Sequence, residues 1–371
     1  MAKYIFSISY RSRKLRSIIK VLLAVIIVNA LWSILISTSK HSDIANSEED
    51  MNTFLNKMSE RTQRIHDICN LKCSIGKCQT LQASHVWLLK NEHVAYCPIY
   101  KSATSTWRDH LINLLNRTNP WNAPKYKING FNKKVPIQTQ VKLIHLGAIN
   151  PKNHDFVDYI NNLPEKHDIT GFIVVRHPFE RLISAYRDKL ERNNLLEPYY
   201  YKTYGKYFVQ KYRKAAIKTL GESYFGEENN FGTPVKVLDD RRPNADLPSF
   251  WEFAQSVIDR YRMDEHWQPI NEYCSVCNVI SMKAFRYILK FEQLKTEENL
   301  FLSHVKWNVN NEKLASKLNV NKPDAISGHE LTLLYFSSLS EQQIKQLYKV
   351  YELDFLLFDY KFDIGDLHFP N

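Results

Sequence analysis

Two stretches of this chain could do phosphate chemistry. Tyr96–Leu111 reads YCPIYKSATSTWRDHL, and Gly171–Leu190 reads GFIVVRHPFERLISAYRDKL. In the first, Lys101 supplies a point charge, and Ser102, Thr104, Ser105 and Thr106 supply hydroxyl donors. Backbone N–H groups at a helix start add to them, because the first turn of a helix has no internal acceptors and carries a partial positive charge. In the second, Arg176 ends an apolar run, where a planar guanidinium can meet a phosphate with two parallel hydrogen bonds. Ser184, further along the same segment, can donate to the same group. Two such sites suit a ligand phosphorylated at two positions. The mechanics are those of a P-loop, but the letters are not. A Walker A loop needs GxxxxGK[ST], and no glycine occurs between Asn91 and Asn129. ATP or GTP hydrolysis through that loop is therefore not expected. Each loop also has a plainer reading. Hydroxyls and lysines are common at helix starts, Arg181 and Arg187 read as solvated or salt-bridged, and Glu180 can pair with an arginine.

The elements that must hold these loops follow from periodicity. His93–Ile99 reads as a buried strand, and Trp107–Leu115 as a helix with Leu111, Leu114 and Leu115 on one face. Val141–Leu146 and Phe172–Val175 read as further strands. Pro178 suits the first position of a helix, where its missing N–H costs nothing. That helix, Phe179 to about Arg192, turns Leu182, Ile183, Tyr186 and Leu190 inward. Strands feeding helices in this order predict an α/β fold, a parallel sheet flanked by helices, with ligand at the strand C-termini. The C-terminal part reads as helical, with Ser340 and Gln343 forming a capping box.

With 371 residues and 44% hydrophobic content, the chain can build a globular core plus appendages. The net charge of +11 favours an acidic partner without choosing among nucleic acid, lipid, nucleotide and polysaccharide. Val21–Ser39 carries no charge and lies between Lys20 and Lys40. At about 1.5 Å per residue it spans roughly 29 Å, close to a bilayer's hydrocarbon core. Basic residues before it and acidic residues after it put the N-terminus in the cytosol and the rest in a lumen. A cleaved signal peptide is the alternative, with an unusually long apolar core. The expected division is a cytosolic tail over 1–20, a signal-anchor over 21–39, a stem over 40–90 and a catalytic domain over 91–371. In an oxidising lumen the six cysteines (Cys69, Cys73, Cys78, Cys97, Cys274 and Cys277) are expected to form disulfides, with a zinc site as the other reading. Asn116-Arg117-Thr118 is a glycosylation sequon.

These segments together resemble the Golgi carbohydrate sulfotransferases, among them the chondroitin and dermatan 4-O-sulfotransferases. YCPIYKSATSTWRDHL is similar to their 5′-phosphosulfate loop, and FIVVRHPFERLISAYRDKLE to their 3′-phosphate segment. YGKYFVQKYRK at Tyr204–Lys214, LPSFWEFAQSVI, DEHWQPINEYCSVC at Asp264–Cys277 and LYKVYELDFLLFDY follow in the family's order. The likeness covers about Asn91 to Tyr360. It departs at Tyr100, where the family usually has proline, at Ser105-Thr106-Trp107, where Thr-Asn-Trp is common, and at His177, where an acid is usual.

The resemblance implies a sulfotransferase fold and transfer of a sulfuryl group from 3′-phosphoadenosine 5′-phosphosulfate to a sugar hydroxyl, with no metal required. It implies that Tyr100, Lys101, Ser102, Ala103, Thr104, Ser105 and Thr106 bind the 5′-phosphosulfate, Lys101 also acting catalytically. Arg176, His177, Pro178, Phe179, Glu180, Arg181, Leu182, Ile183 and Ser184 then form the segment for the 3′-phosphate. The acceptor hydroxyl needs a base. His266 is the first candidate, with His145, His110, His177 and Glu180 as rivals. Lys202, Lys206, Lys211, Arg213 and Lys214, interleaved with tyrosines, can grip an acidic glycan or simply be solvated. The expected partners are a chondroitin-like acceptor, sulfated on the 4-hydroxyl of N-acetylgalactosamine, and the Golgi membrane, reached through one type II span; nucleic acid is not expected. Other readings are sulfation of terminal N-acetylgalactosamine or glucuronic acid on glycoproteins, and a non-catalytic glycosaminoglycan-binding protein. A glycosyltransferase fits less well, because Asp239-Asp240 is followed by Arg241 and gives no DxD.

Overall fold

A computed structural model describes residues 48–72, 85–89, 93–118, 169–191, 199–221, 247–277, 285–307 and 328–362. By its contacts the chain divides into Met1–Asn56 and Lys57–Asn371. Of the first unit, residues 48–56 are described and are helical. The expected span at 21–39, the strand at 141–146, His145, Cys73 and Cys78 lie outside the described residues. No described helix is long and apolar enough to cross a membrane.

In the second unit, a sheet of four strands has the order β1 (Trp87–Leu89), β2 (Val94–Cys97), β3 (Thr170–Val175), β4 (Phe285–Lys290). The short β1 runs antiparallel to β2, while β2, β3 and β4 are mutually parallel. β3, TGFIVV, is buried from its second residue on, as an apolar, β-branched strand covered on both faces must be. Alternation sorts its side chains. Phe172 stacks on Tyr96 at 4.6 Å and meets Trp107 of α2 (Thr104–Thr118) at 4.7 Å and Phe301 of α7 (Leu294–His304) at 5.1 Å. On the other face Ala95, Cys97, Ile173, Val175 and Ile288 share a core with Ile65 and Cys69 of α1 (57–72) and with Ile270, Tyr273 and Cys274 at α6 (Ile270–Tyr273). The parallel sheet between helical layers is the expected α/β arrangement.

The segment expected to be a stem is part of this packing. Arg61 of α1 pairs with Glu297 at 2.7 Å and donates to the Ile288 carbonyl at 2.7 Å. β1 pairs with β2 residue for residue. The packed body therefore starts upstream of Asn91. Both cysteines of the CxxC are in disulfides, Cys69–Cys277 and Cys97–Cys274, which tie α1 and β2 to the segment after α6. The zinc alternative is thus excluded for those four.

A second core joins the remaining helices: α3 (Pro178–Tyr186), α4 (Lys206–Leu220), α5 (Phe250–Arg260), α8 (Gly328–Phe336) and α9 (Glu341–Leu357). α3 begins on Pro178, as expected, and runs on through a wider π turn, Arg187–Glu191. Its Leu182, Ile183, Tyr186 and Leu190 are all buried. α9 starts with the expected capping box of Ser340 and Gln343, and α5 has another from Ser249 and Glu252. Pairing of Cys97 with Ile173 and of Val175 with Lys290 brings the C-terminal ends of β2, β3 and β4 to one edge, and both basic loops leave from that edge.

Candidate active site

The loop after β2 is wound tightly. Lys101 and Ala103 both take left-handed backbone conformations, with φ of 70° and 60°. For residues with a Cβ this costs about 1–3 kcal/mol each, strain that recurs where a loop must present its backbone to a ligand. The Ser102 N–H closes a turn on the Ile99 carbonyl at 3.1 Å, and the Thr104 hydroxyl bonds the same oxygen. Ser102 is fully buried, yet its Oγ has no hydrogen-bond partner among the described residues. Backbone alternating in this way turns successive N–H groups to one side, an anion-binding concavity, and it feeds the N-terminus of α2.

Arg176 leaves β3 beside this loop. Its Nη1 donates to the Lys101 carbonyl at 3.3 Å and its Nη2 to Glu180 at 3.4 Å, while its Nε is buried without a partner. The guanidinium lies over the Phe291 ring at 4.4 Å. The Lys101 ammonium reaches Asp188 at 3.2 Å, and Asp188 also holds Lys189 at 3.1 Å. Glu180, Ser184 and Asp188 follow one another at four-residue steps along the helix, so Ser184 sits between the anchors of the two cations. Burial pushes the Lys101 ammonium down from its ordinary value, against the pull of Asp188. Burial alone would raise the Asp188 carboxyl, but Lys101 and Lys189 hold it below its ordinary range.

A histidine completes the cluster. His266 is buried, its ring tilted against Tyr100 at 4.4 Å between centroids. Its Nδ1 lies 2.7 Å from Asp264 Oδ1, which also accepts the His266 backbone N–H at 2.9 Å. The Asp264 carboxyl lies below its ordinary range, since the two donors of His266 outweigh the upward push of burial. An ionised Asp264 fixes the ring proton on Nδ1 and leaves the lone pair on Nε2. Tyr200 touches the same ring, its hydroxyl 3.2 Å from Nδ1, and its own ring lies beneath the Lys189 ammonium at 4.6 Å. Burial pushes the Tyr100 phenol up to about 12.

Of the residues expected in the site, the structure brings Tyr100, Lys101, Ser102, Ala103, Thr104, Arg176, Glu180 and His266 together. Ser105 is exposed on α2, Thr106 is nearly buried, and Ser184 is half-buried. Phe179, Leu182 and Ile183 are core side chains of α3, with Pro178 buried at its start. Arg181, expected either at the phosphate or in solvent, is fully buried and bonds only to carbonyls. Of the rival bases, Glu180 stays in the cluster on Arg176, and His110 and His177 are engaged elsewhere. His110 is buried against Glu298 at 2.7 Å, and the His177 ring packs on Phe355 and Tyr360. In the basic stretch, Arg213 pairs with the buried Glu252 and Lys211 with Asp259, while Lys202, Lys206 and Lys214 are exposed. Sequence reasoning passed over Asp188, Lys189, Tyr200 and Asp264. Only Asp264, two residues before a candidate base, carried a usable signal.

Comparison with known proteins gives a family. The family model described as Sulfotransferase family matches residues 84–361. Carbohydrate sulfotransferase 8 of Mus musculus is 26% identical over 290 residues, covering 77% of this chain and 58% of that protein. Carbohydrate sulfotransferase 11 of Rattus norvegicus is 24% identical over 317 residues, 81% of this chain and 75% of that one. Carbohydrate sulfotransferase 10 of Danio rerio is 29% identical over 246 residues, 62% and 60% of the two. The chain thus spans a little over half the length of the first of these relatives. No solved structure matches it.

Proposed function

The chain belongs to the Sulfotransferase family, and from that premise we propose that it transfers a sulfuryl group from 3′-phosphoadenosine 5′-phosphosulfate to a hydroxyl of a glycan. The donor supplies the group already activated, as a mixed anhydride of sulfate and phosphate. The observation that carries the reading is the strained Lys101–Ala103 loop set against Arg176 on one side and the Asp264–His266 pair on the other. The residues fit such a donor. Ser102 Oγ and Arg176 Nε are buried polar atoms without partners among the described residues, at a loop wound through two left-handed residues.

In this reading Lys101 places an ammonium where charge gathers on the departing phosphate oxygen. The loop N–H groups and Ser102 hold the 5′ end, and Arg176 with Ser184 holds the 3′-phosphate. His266 Nε2 accepts the acceptor hydroxyl's proton as the new S–O bond forms and the bond from sulfur to the bridging oxygen breaks, giving a sulfate ester and adenosine 3′,5′-bisphosphate.

The acceptor is chondroitin or dermatan, sulfated at the 4-hydroxyl of N-acetylgalactosamine. Support comes from the excess positive charge, from the exposed Lys202, Lys206 and Lys214, and from relatives named as carbohydrate sulfotransferases. The setting is the Golgi lumen, with residues 21–39 as a type II anchor. Two disulfides agree with an oxidising compartment.

The test is transfer of radiolabelled sulfate by the full chain to a panel of desulfated glycans, followed by disaccharide analysis. Lys101→Ala should cut kcat about 10²–10³-fold, as loss of one transition-state donor does. Arg176→Ala should raise the donor KM about 10–100-fold, the worth of a charge-assisted bond. Glycan retention without transfer would make the protein a binding module instead.

A further inference from the structure

Arg181 is a buried cation that makes no direct ion pair among the described residues; the buried Asp354 carboxyl acts on it only through its field. Its side chain is fully enclosed, and each of its bonds goes to a main-chain carbonyl: Nε to Tyr100 at 2.9 Å, Nη1 to Gln268 at 2.8 Å and Nη2 to Glu265 at 3.1 Å. Burying a charge in this way is costly, and an apolar side chain of similar size would fill the space more cheaply. What the guanidinium adds is geometry. It is a planar fork with fixed angles between its donors, which a flexible ammonium or an alkyl chain lacks.

The three carbonyls identify what the fork fixes. Tyr100 immediately precedes Lys101. Glu265 immediately precedes His266, and Gln268 lies two residues after it. One rigid group, rooted in α3, therefore grips the loop of the cation and the loop of the base from behind. The Tyr100–His266 ring contact lies in the same seam. Asp354 anchors the next stretch, accepting the N–H groups of Ile270 and Asn271 at 2.7 Å each. The segment around His266 is thus pinned on both sides, and Arg181 is its tie to the donor loop.

We propose that Arg181 is a positioning residue that sets the separation between the Lys101 ammonium and the His266 imidazole, and so the alignment of leaving group and attacking hydroxyl. This rests on the sulfotransferase reading above. It predicts a loss confined to the step in which both groups act. Donor and acceptor keep most of their contacts, because Arg176, Ser184 and the exposed lysines make no bond to Arg181. In-line transfer needs both loops in register, and a displacement near 1 Å costs about 100-fold.

The experiment is steady-state kinetics on the full chain with Arg181→Lys and, in parallel, Arg181→Gln, each checked for secretion and thermal unfolding. The expected result is a fall in kcat of about 100-fold, with both KM values within about threefold of the parent. In a His266→Ala background, Arg181→Lys should cost little more, since there is no longer a base to align. Unchanged kcat overturns the proposal, and so does an equal loss with and without His266. A rise in both KM values with kcat retained also overturns it, because that marks general loosening. Failure of both variants to fold assigns Arg181 to the scaffold and overturns it too. If the parent chain transfers sulfate to no glycan, it is the sulfotransferase reading that fails.

Discussion

Replacing Asp264 by asparagine is the sharpest probe of the proposed base, because it changes a charge and leaves the volume alone. One carboxylate oxygen takes two donors from His266, the ring Nδ1–H at 2.7 Å and the main-chain N–H at 2.9 Å. An amide oxygen in the same place still accepts both, but as a neutral partner. A hydrogen bond to a charged group contributes about 1.5–3 kcal/mol and a neutral one about 0.5–1.5, so the preference for the productive tautomer weakens by about 1–1.5 kcal/mol. That is a factor of about ten. If the amide turns its NH2 toward Nδ1, the ring proton moves to Nε2 and the base is lost, at the full 10²–10⁴-fold that general base catalysis contributes. The expected kcat of Asp264→Asn is therefore lower than the parent's by about tenfold at the least. The donor KM should not move, because Asp264 touches none of the donor loop's polar groups in the structure. Initial rates at saturating donor and acceptor measure this, beside His266→Ala and the double variant. The double variant should match His266→Ala alone in kcat, since Asp264 enters the proposed chemistry through the ring. A single variant within twofold of the parent would refute the reasoning. So would a double variant whose losses multiply.

Other consequences are open to measurement. Replacing the exposed Lys202, Lys206 and Lys214 together by alanine should raise the acceptor KM about tenfold at low salt and leave the donor KM unchanged, with the difference shrinking as salt is added; an unchanged acceptor KM would return that face to mere solvation. Removing the Cys97–Cys274 disulfide by paired serine substitutions should cost about 2–5 kcal/mol in denaturant unfolding, because the link closes a separation of 177 residues. A loss well under 1 kcal/mol would show that the packing alone holds β2 to the α6 segment. Burial outweighs the N–H groups of Ile270 and Asn271 and lifts the Asp354 carboxyl from 3.8 to about 6. A folded value above the unfolded one stabilises fully below the lower figure and is lost as pH rises through the higher. Thermal melts should therefore show the parent losing ground to Asp354→Asn between about pH 4 and pH 6. A constant gap would refute the shift.

The two strand–loop–helix units were legible because each is local. A run such as Phe172–Val175 has one reading, and Pro178 marks the helix start whatever lies around it. Capping at Ser340 was legible for the same reason. What escaped was long-range. Nothing in the sequence says that Cys69 finds Cys277 across 208 residues. Residues 57–72 look like a polar stem until Met58, Arg61, Ile65 and Cys69 are seen to share one face, at steps of three and four. β1 is too short to show an alternation. Arg181 was misleading in a different way. Its neighbours in the motif are charged, so its own burial could not be guessed, and only the fold brings the carbonyls of Tyr100, Glu265 and Gln268 around it. His266 became a candidate through resemblance, whereas its partner Asp264 needed the turn that folds it back on the ring.

The carboxylates in the site raise a physical question, because Glu180 and Asp188 compete with any anion for Arg176 and Lys101. Three cations, Lys101, Arg176 and Lys189, converge there. Without counterions they would repel one another and disperse into solvent, and gathering them again would fall on the binding step. Held by two acids on one helical stripe, they stay in position. Of the two acids, Glu180 is as enclosed as Arg176, and Asp188 is the less confined. The Asp188 side chain is 44% exposed, against 20% for Lys101. A polyphosphate ligand can thus take over the cations while Asp188 turns toward water, at the small cost of a solvent-screened ion pair. In the proposed reaction that exchange lowers the affinity for the donor and leaves the cations in place when charge develops on the leaving oxygen. Transition-state stabilisation depends on that preorganisation more than on tight ground-state binding.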